Sequence, residues 1–353
     1  MSSTKIIKVD PINPEQRFLE EAANILINGG LVIIPTETVY GIAANMLHKK
    51  ALERLYEIKK RPKDKSFSIH IDEKGKIEEF ARAIPIAAYK LIDKFWPGPL
   101  TVVLKSKDIG SVGLRIPDNE IALGVINLAK VPLVCPSANI SGKLAPTNFP
   151  DAIKDLDGLV DFAIDAGNTR LGIESSVVDL TVEPLQILRQ GALKKEEIEA
   201  VVKKKVVLFV CTGNSCRSVM AKALLEKKLK EKNRDDVEVL SAGIMMLGGL
   251  SATEPTIEIL KREDIDVSGH SSEKVTKEML KKADIILVME HLHEQRVLEL
   301  APETKNRLFL LKEFAKINDG QLNIDDPISK PIEFYEKTFA IIKEAIEKVG
   351  NLI

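Results

Sequence analysis

Cys211 and Arg217 bracket five residues, TGNSC, after the apolar stretch VVLFV and before a helix-forming stretch. Backbone N–H groups of residues 212–217 would converge there at the positive end of a helix, and Arg217 would add a two-pronged donor for phosphate oxygens. The same field would stabilise a thiolate, so we expect the pKa of Cys211 to lie well below that of a free cysteine. The spacing predicts a nucleophile that attacks phosphorus, with a hydrogen bond from Ser218 to the thiolate. The alternative is a structural cysteine at a strand end beside a surface arginine.

A second candidate group lies far downstream in Asp325-Asp326-Pro327, just before the last predicted helix. A carboxylic acid held near the cysteine loop would protonate a leaving group as general acid. By itself, an Asp-Pro pair predicts only a turn. Together, the loop and Asp326 predict hydrolysis of a phosphorylated substrate.

Short polar segments follow apolar stretches throughout the first half, and ligand sites favour such places. They are PTETVYG (35–41), KKRP (59–62), SVGLRIP (111–117), SANISG (137–142), ESSVVD (174–179) and LRQG (188–191). Four of their cations would suit a polyphosphate and a carboxylate: Lys59, Arg61, Arg115 and Arg189. The alternative is that these side chains are solvated surface charges. The sequence contains neither of the two common nucleotide-binding fingerprints, G-x-x-x-x-G-K-[ST] and G-x-G-x-x-G.

The hydrophobic pattern indicates the elements that position these segments. In the first half, residues 31–35 and 101–105 have the composition of strands, whereas 49–60 and 84–95 carry helical apolar spacing. We therefore predict a mixed α/β fold for this half.

A polar, helix-forming stretch at 192–205 marks the predicted boundary between a domain at 1–200 and a domain at 204–353. Beyond it, strands and helices are predicted to alternate. The strands lie at 206–210, 237–240, 284–289 and 307–310, and the helices at 218–232, 253–262, 291–299 and 331–349. Such alternation predicts a parallel sheet with helices on both faces.

The composition limits the classes of function. Lys and Arg number 51 against 52 Asp and Glu, and the net charge of -1 disfavours a protein that coats nucleic acid or a membrane. No apolar run approaches the roughly 18 residues that span a bilayer, and the N-terminal segment lacks the apolar core of a secretory signal. Three cysteines, Cys135, Cys211 and Cys216, are too few for a disulfide framework. We expect a soluble, cytoplasmic protein.

The second half resembles the low-molecular-weight protein tyrosine phosphatase family over its whole length. CTGNSCRS, SAG (241–243), ADIILVME (283–290) and the late Asp-Pro follow the order of that family. The resemblance implies a doubly wound, four-stranded parallel sheet and no metal. It also implies that Cys211 becomes phosphocysteine, that Arg217 binds phosphate and that Asp326 is the general acid. The positions that support the phosphate loop would be Asn214, Ser215 and Ser218.

Two positions bear on the phosphorylated protein substrate. Members of the family that act on phosphotyrosine usually have a large aliphatic residue where this chain has Ser215, and those that act on phosphoarginine have threonine. Ile328 stands where an aromatic residue tends to flank phosphotyrosine. Phosphoarginine is therefore favoured, with phosphotyrosine, or a phosphate-binding domain without turnover, as alternatives. Cys216 matches a cysteine that can trap an oxidised nucleophile as a disulfide, or else it is a packing residue.

Residues 1 to about 200 resemble the YrdC-like threonylcarbamoyl-AMP synthase family, since all six polar segments and FWPGPLT (95–101) occur in its order. The resemblance implies a twisted mixed sheet with flanking helices. It implies condensation of L-threonine, bicarbonate and ATP, with Mg²⁺, into threonylcarbamoyl-AMP and pyrophosphate. That reaction begins the synthesis of N6-threonylcarbamoyladenosine in tRNA, so partners from tRNA modification are expected.

The same resemblance assigns residues to two sides of one site. Threonine would contact Thr38, His70, Arg115 and Ser175. ATP would contact Lys59, Arg61, Ser111, Ser137, Asn139 and Arg189. His70 has the alternative of a packed strand histidine. An RNA-binding module is the rival function for this half, but it would need stacking aromatics, and Phe, Trp and Tyr make up only 5% of the chain.

Overall fold

The computed structural model describes residues 3–108, 110–245 and 248–353. The chain forms two compact units, Met1–Val201 and Val202–Ile353, and the division falls inside the polar stretch predicted as the boundary. Each unit has its own sheet and its own buried clusters. No helix within the three described ranges is both long and apolar enough to cross a membrane.

The first unit contains a ten-stranded mixed sheet. Its strands are β1 (Lys5–Lys8), β2 (Leu31–Ile34), β3 (Gly41–Asn45), β4 (Ile69–His70), β5 (Leu100–Lys105), β6 (Ser111–Arg115), β7 (Leu133–Val134), β8 (Phe162–Asp165), β9 (Ser176–Asp179) and β10 (Gln186–Arg189). Its helices are α1 (Gln16–Ile27), α2 (Lys49–Lys59), α3 (Ile77–Phe80), α4 (Ile86–Phe95), α5 (Glu120–Ala129) and α6 (Phe149–Lys154), and α7 (Lys195–Lys203) crosses the division. The spatial order of the strands is β1-β8-β2-β3-β7-β4-β6-β5-β9-β10. Since β5 pairs antiparallel with β6 and parallel with β9, the predicted mixed sheet is confirmed.

The middle of this sheet is covered on both faces. Every residue of β2 and β3 is buried, as expected for strands without polar alternation. Helix α1 buries one side at helical spacing, through Leu19, Ala22, Ala23 and Leu26. These side chains share one cluster with residues of β2 and α5. The packed sheet thereby fixes the strand ends that carry the polar segments.

The second unit contains a four-stranded sheet in the order β12-β11-β13-β14, and each neighbouring pair is parallel. Its strands are β11 (Lys205–Cys211), β12 (Val237–Gly243), β13 (Ile285–Val288) and β14 (Leu308–Leu310). Its helices are α8 (Arg217–Glu231), α9 (Glu254–Lys261), α10 (Lys277–Lys282), α11 (His291–Leu300), α12 (Leu311–Phe314) and α13 (Ile332–Leu352). The predicted doubly wound parallel fold is confirmed.

Strand β11 separates the core of the second unit into two clusters. Val207 and Phe209 belong to one, and Val206 and Leu208 belong to the other, as the period of two requires. Cys211 follows the same alternation and lies in the cluster that includes residues of α8. Cys211 is therefore held by a strand that is buried on both faces.

Six elements are too short for the hydrophobic pattern to have predicted them. They are the helices α3, α6, α10 and α12 and the strands β4 and β7. The predicted helices at 218–232 and 331–349 are present but differ at their ends, since α8 begins at Arg217 and α13 extends to Leu352.

Phe209 is fully buried in β11. Phe209→Ala removes apolar contact and leaves a cavity, so it should lower the free energy of unfolding of the second unit by about 3–5 kcal/mol. Native-state hydrogen exchange of the β11 amides measures this change. Leu292→Ala is the control, since that side chain is 61% exposed and should change the value by less than about 0.5 kcal/mol. Equal effects of the two substitutions would contradict this description of the core.

Candidate active sites

The loop between β11 and α8 folds around the sulfur of Cys211. Asn214 adopts φ 52°, in the left-handed region that asparagine tolerates better than most residues. Its N–H donates to Cys211 Sγ at 3.3 Å, and Ser218 Oγ lies 2.9 Å from the same sulfur. The structure therefore brings three of the predicted residues together within one buried loop.

The side chain of Asn214 fixes this loop. Its Nδ2 donates to Ser218 Oγ at 2.9 Å and to Ser241 Oγ at 3.0 Å, and its Oδ1 accepts from the N–H of Glu273 at 2.8 Å. His270 Nε2 is hydrogen-bonded to the backbone oxygen of Asn214 at 2.7 Å. Because Ser218 Oγ accepts from Asn214, its own proton is available to the thiol. The sequence analysis does not identify His270, since a contact between distant loops leaves no spacing signal.

The guanidinium of Arg217 is 1% exposed and joins several segments. Nη1 donates to Glu290 Oε2 at 2.8 Å and to the backbone oxygen of Ile324 at 2.7 Å. Nη2 donates to Thr212 Oγ1 at 2.9 Å and to Asp326 Oδ2 at 2.5 Å. The Nε–H is buried and has no partner among the residues that the structure describes. An unpaired buried donor is costly, and a phosphate oxygen would satisfy it, so this loop fits a phosphate group.

His293 extends the network. It is fully buried, and its Nε2 lies 2.9 Å from Thr212 Oγ1. Burial, followed by the nearby charge of Arg217, lowers the pKa of His293 to about 4. The imidazole is therefore neutral at pH 7 and adds no charge to the anion-binding loop.

The environment of Cys211 acts on the thiol in two directions. Burial raises its pKa, and Ser218, Arg217 and the N–H of Asn214 oppose this rise. In the folded loop burial is the larger effect, so the expectation of a pKa far below that of a free cysteine is wrong here. The physical reason is that the loop which surrounds the sulfur with donors also separates it from water.

The remaining loop positions are buried as well. Ser215 Oγ lies 3.7 Å from Cys216 Sγ, which also lies 3.3 Å from Thr253 Oγ1. The thiol of Cys216 donates to the hydroxyl oxygen of Tyr335 at 3.8 Å. Cys216 is thus a packed residue with hydroxyl neighbours, and it is a free thiol. Ile328, in contrast, is 50% exposed.

The first unit encloses a cavity of about 600 Å³. Nine of the ten residues assigned to threonine and ATP line it: Lys59, Arg61, His70, Ser111, Arg115, Ser137, Asn139, Ser175 and Arg189. The tenth, Thr38, is buried, and its Oγ1 accepts from Arg115 Nη2 at 2.8 Å. The size and the polar lining of the cavity suit a nucleotide together with a small amino acid.

Arg115 is a buried cation of this cavity. It ends β6 and is paired in register with His70 at the end of the parallel strand β4. Its Nη2 donates to Glu37 Oε1 at 2.6 Å, and its Nε donates to the backbone oxygen of Gly98 at 3.2 Å. Burial, followed by the charge of Arg115, lowers the pKa of His70 to about 3, so the imidazole is neutral. The sequence analysis does not identify Glu37, although it lies within PTETVYG.

Lys59 is held by protein oxygens. Its Nζ donates to the backbone oxygens of Ser137 and Asn139, both at 2.6 Å, and to Asn139 Oδ1 at 2.8 Å. Burial, followed by repulsion from Arg61, lowers the pKa of Lys59 to about 8. Lys59 therefore fixes the segment that carries two predicted ATP contacts, and its own contact with ATP stays a prediction.

Arg189 connects the two predicted sides of the cavity. Its Nε donates to the backbone oxygen of Ser175 at 2.9 Å, and its Nη2 donates to Ser175 Oγ at 3.1 Å. Ser175 Oγ also lies 3.0 Å from Thr101 Oγ1. Glycine is required at Gly191, because a Cβ there would lie 2.1 Å from the backbone oxygen of Glu174.

Arg61 shapes the neighbouring loop. Its Nε donates to the backbone oxygen of Lys65 at 2.9 Å and its Nη2 to that of Ser66 at 3.0 Å. The guanidinium carbon lies 5.2 Å from the centre of the Phe67 ring. These contacts bring Lys65 to the wall of the cavity.

Comparison with known proteins assigns the two halves of the chain to two different families, in agreement with the two compact units of the structure. The Sua5/yciO/yrdC family model, described as "Telomere recombination", matches residues 24–191. A relative from Methanocaldococcus jannaschii, named "Putative threonylcarbamoyl-AMP synthase", is 38% identical over 203 residues, which are 55% of this chain and 96% of that protein. The chain belongs to the Sua5/YciO/YrdC family. Its second half is a low-molecular-weight phosphatase domain, because the model "Low molecular weight phosphotyrosine protein phosphatase" matches residues 206–351.

Longer members of the Sua5/YciO/YrdC family also match the first half. "Threonylcarbamoyl-AMP synthase" of Pyrococcus abyssi is 44% identical over 197 residues, covering 53% of this chain and 58% of that protein. A solved structure, "Crystal structure of P. abyssi Sua5 complexed with L-threonine", covers 87% of this chain and 99% of its own at 29% identity, with a TM-score of 0.54. In the sequence comparison, this chain spans less than two thirds of the length of the Pyrococcus protein.

The pair between Arg115 and Glu37 supports a prediction about stability. Glu37→Gln would leave the guanidinium buried without its anion, so it should lower the free energy of unfolding of the first unit by about 3–5 kcal/mol. Glu174→Gln is the matched control, because the pair of Glu174 with Arg189 is about 40% exposed and should contribute less than about 1 kcal/mol. Hydrogen exchange of the amides of β2 and β3 measures both. A loss as small as that of the control would contradict the role given to Glu37.

Proposed function

We propose that the first half condenses L-threonine, bicarbonate and ATP into threonylcarbamoyl-AMP and pyrophosphate. The observation that carries the proposal is one cavity lined by four cations, Lys59, Arg61, Arg115 and Arg189, together with several hydroxyls. Attack of a carbamate oxygen on the α-phosphate needs no protein nucleophile. It needs cations that spread the developing charge and a pocket that holds the reactants in line.

In this proposal, one side of the cavity binds threonine and the other side binds ATP. Thr38, Arg115 and Ser175, with the neutral His70, bind threonine. ATP is bound by Arg61, Ser111 and Arg189. Lys59, with Ser137 and Asn139, which it contacts, completes the ATP side. Mg²⁺ would enter with the triphosphate. Its chemistry is to neutralise charge on the phosphates. The product would then pass to the enzymes that modify tRNA.

Pyrophosphate release tests this activity. The full chain should release pyrophosphate only when ATP, Mg²⁺, threonine and bicarbonate are all present. Thr38→Val should raise the KM for threonine about tenfold and leave that for ATP within about threefold, because it removes one hydroxyl contact. Arg61→Lys is the counterpart and should raise the KM for ATP alone. Pyrophosphate release that does not depend on threonine would contradict the proposal.

For the second half we propose hydrolysis of a phosphorylated protein through phosphocysteine. The phosphate group binds between the loop amides and Arg217 Nε, and the phosphate dianion takes the thiol proton, so that Cys211 reacts as the thiolate. Cys211 Sγ then forms a bond to phosphorus as the bond to the leaving group breaks. Asp326 gives the leaving group its proton. Asp326 then takes a proton from the water that attacks phosphocysteine, which releases inorganic phosphate and the free cysteine. The unpartnered, buried Nε–H of Arg217 is the observation that carries this mechanism.

Phosphoarginine is the substrate that we propose. Ser215 is small and buried, and Ile328 presents no ring to flank a phenyl group. The carboxylates of Glu290 and Asp326 both contact Arg217, and together they favour a cationic leaving group over an acidic surface. Phosphotyrosine is the competing substrate.

Phosphate release from phosphoarginine and phosphotyrosine peptides, measured side by side, distinguishes the two. Phosphoarginine should be hydrolysed faster, and Cys211→Ser should abolish release from both. Ser215→Ile should shift the ratio of kcat/KM toward phosphotyrosine by about tenfold or more, since a larger side chain reshapes the loop wall. No release that depends on Cys211 from either peptide would reduce this half to a phosphate-binding domain.

A further inference from the structure

The proposed general acid lies on a segment without regular structure. From Ala315 to Pro331, between α12 and α13, the chain forms no helix or strand. Asp326 is therefore not positioned by a helix or strand, and its place next to Arg217 depends on contacts that the segment makes with its neighbours. Of the residues near it, Ile324 is buried, with its N–H donating to the backbone oxygen of Met289 at 2.8 Å.

A buried lysine holds the other end of this segment. The side chain of Lys312, on α12, is only 3% exposed. Its Nζ donates to both carboxylate oxygens of Asp319 at 2.6 Å, and also to the backbone oxygen of Gln321. Gln321 Nε2 in turn donates to Asp325 Oδ1 at 3.3 Å. A chain of contacts thus runs from α12 to the residue before Asp326.

Because Lys312 is charged and buried, it requires the ion pair with Asp319. An ammonium group that is out of water must have an anion and acceptors, and Asp319 is the anion within ion-pair distance of it among the described residues. Asp319 is 53% exposed, and residues 319–322 are on the surface. Little apolar packing would therefore hold residues 319–322 in place if the ion pair were broken.

We propose that Lys312 is a positioning residue of the phosphatase site, whose ion pair with Asp319 anchors the segment that presents Asp326 to the leaving group. The inference rests on the proposed phosphatase function. It assigns Lys312 no contact with substrate. It predicts that breaking the ion pair weakens proton donation while leaving the nucleophile and the phosphate loop intact.

Two aryl phosphates separate proton donation from the rest of the reaction. Hydrolysis of phenyl phosphate requires a proton on the departing phenolate oxygen. Hydrolysis of 2,4-dinitrophenyl phosphate does not, because 2,4-dinitrophenolate is a stable anion that departs readily. Lys312→Met and Asp319→Asn should each lower kcat/KM for phenyl phosphate about tenfold or more, but change that for the dinitrophenyl ester by less than about threefold. Lys330→Met is the matched control, since Lys330 is an exposed lysine of the same segment, and it should leave both values unchanged.

Asp319→Asn changes a surface side chain, so it keeps the test meaningful if Lys312→Met folds poorly. Equal losses on both esters would show a general effect on folding and would overturn the inference. No loss on phenyl phosphate in either variant would overturn it as well.

Hydrogen exchange provides a readout that does not require turnover. In Lys312→Met and Asp319→Asn, amides at 319–326, including the Ile324 N–H, should exchange at least about tenfold faster, with those of β11 unchanged. If the wild-type chain releases phosphate neither from these esters nor from phosphoarginine, the proposed phosphatase function fails, and the exchange rates still decide whether the anchor exists. Unchanged exchange at 319–326 would overturn the anchor whatever the activity.

Discussion

A buried guanidinium organises each half of this chain. The side chains of Arg217 and Arg115 are 1% and 6% exposed. A guanidinium carries five N–H donors and stays charged, so its burial requires acceptors on several sides. Distant parts of the chain supply them: Glu290 and Asp326 for Arg217, and Glu37 for Arg115. The hydrogen bonds that satisfy these donors therefore fix the positions of the surrounding side chains, including Asp326.

The two sites use their cations for different chemistry. In the second unit, Arg217 lies in the same loop as Cys211, and its proposed role is to bind the phosphate group that this cysteine attacks. In the first unit, the cations surround a cavity and their proposed role is to stabilise charge as it develops. Each site also contains a buried histidine, His70 or His293, whose pKa is lowered far enough to keep it neutral. The positive charge of each site is therefore set by arginine and lysine alone.

The sequence predicts those features that depend on local spacing. Cys211 and Arg217, six positions apart, predict the phosphate loop, and alternating strands and helices predict the parallel sheet that carries it. Contacts between distant segments leave no such pattern, which is why Glu290 and His293 are visible only in the fold. The pKa of Cys211 is the clearest error, because spacing shows the donors around the sulfur but not the loss of water.

Two buried lysines also have contacts that the sequence does not reveal. The motif predicts Lys59 as an ATP contact, and the fold adds that its ammonium is held by backbone oxygens of the segment 137–139. Lys312 belongs to no motif, yet it is as buried as the core around it. The residue type shows that Lys312 is charged but not that it is buried. Its ion-pair partner, Asp319, is therefore found only in the folded segment.

The most direct test of this account is to replace each buried guanidinium by an ammonium in the full chain. Lysine keeps the charge but has no planar fork to satisfy the same acceptors. Arg115→Lys should lower pyrophosphate release from ATP, threonine and bicarbonate about a hundredfold, and Arg217→Lys should lower phosphate release from phosphoarginine to the same extent. Each variant should keep the other activity within about threefold. Full activity in either lysine variant, or loss of both activities in one, would contradict the account.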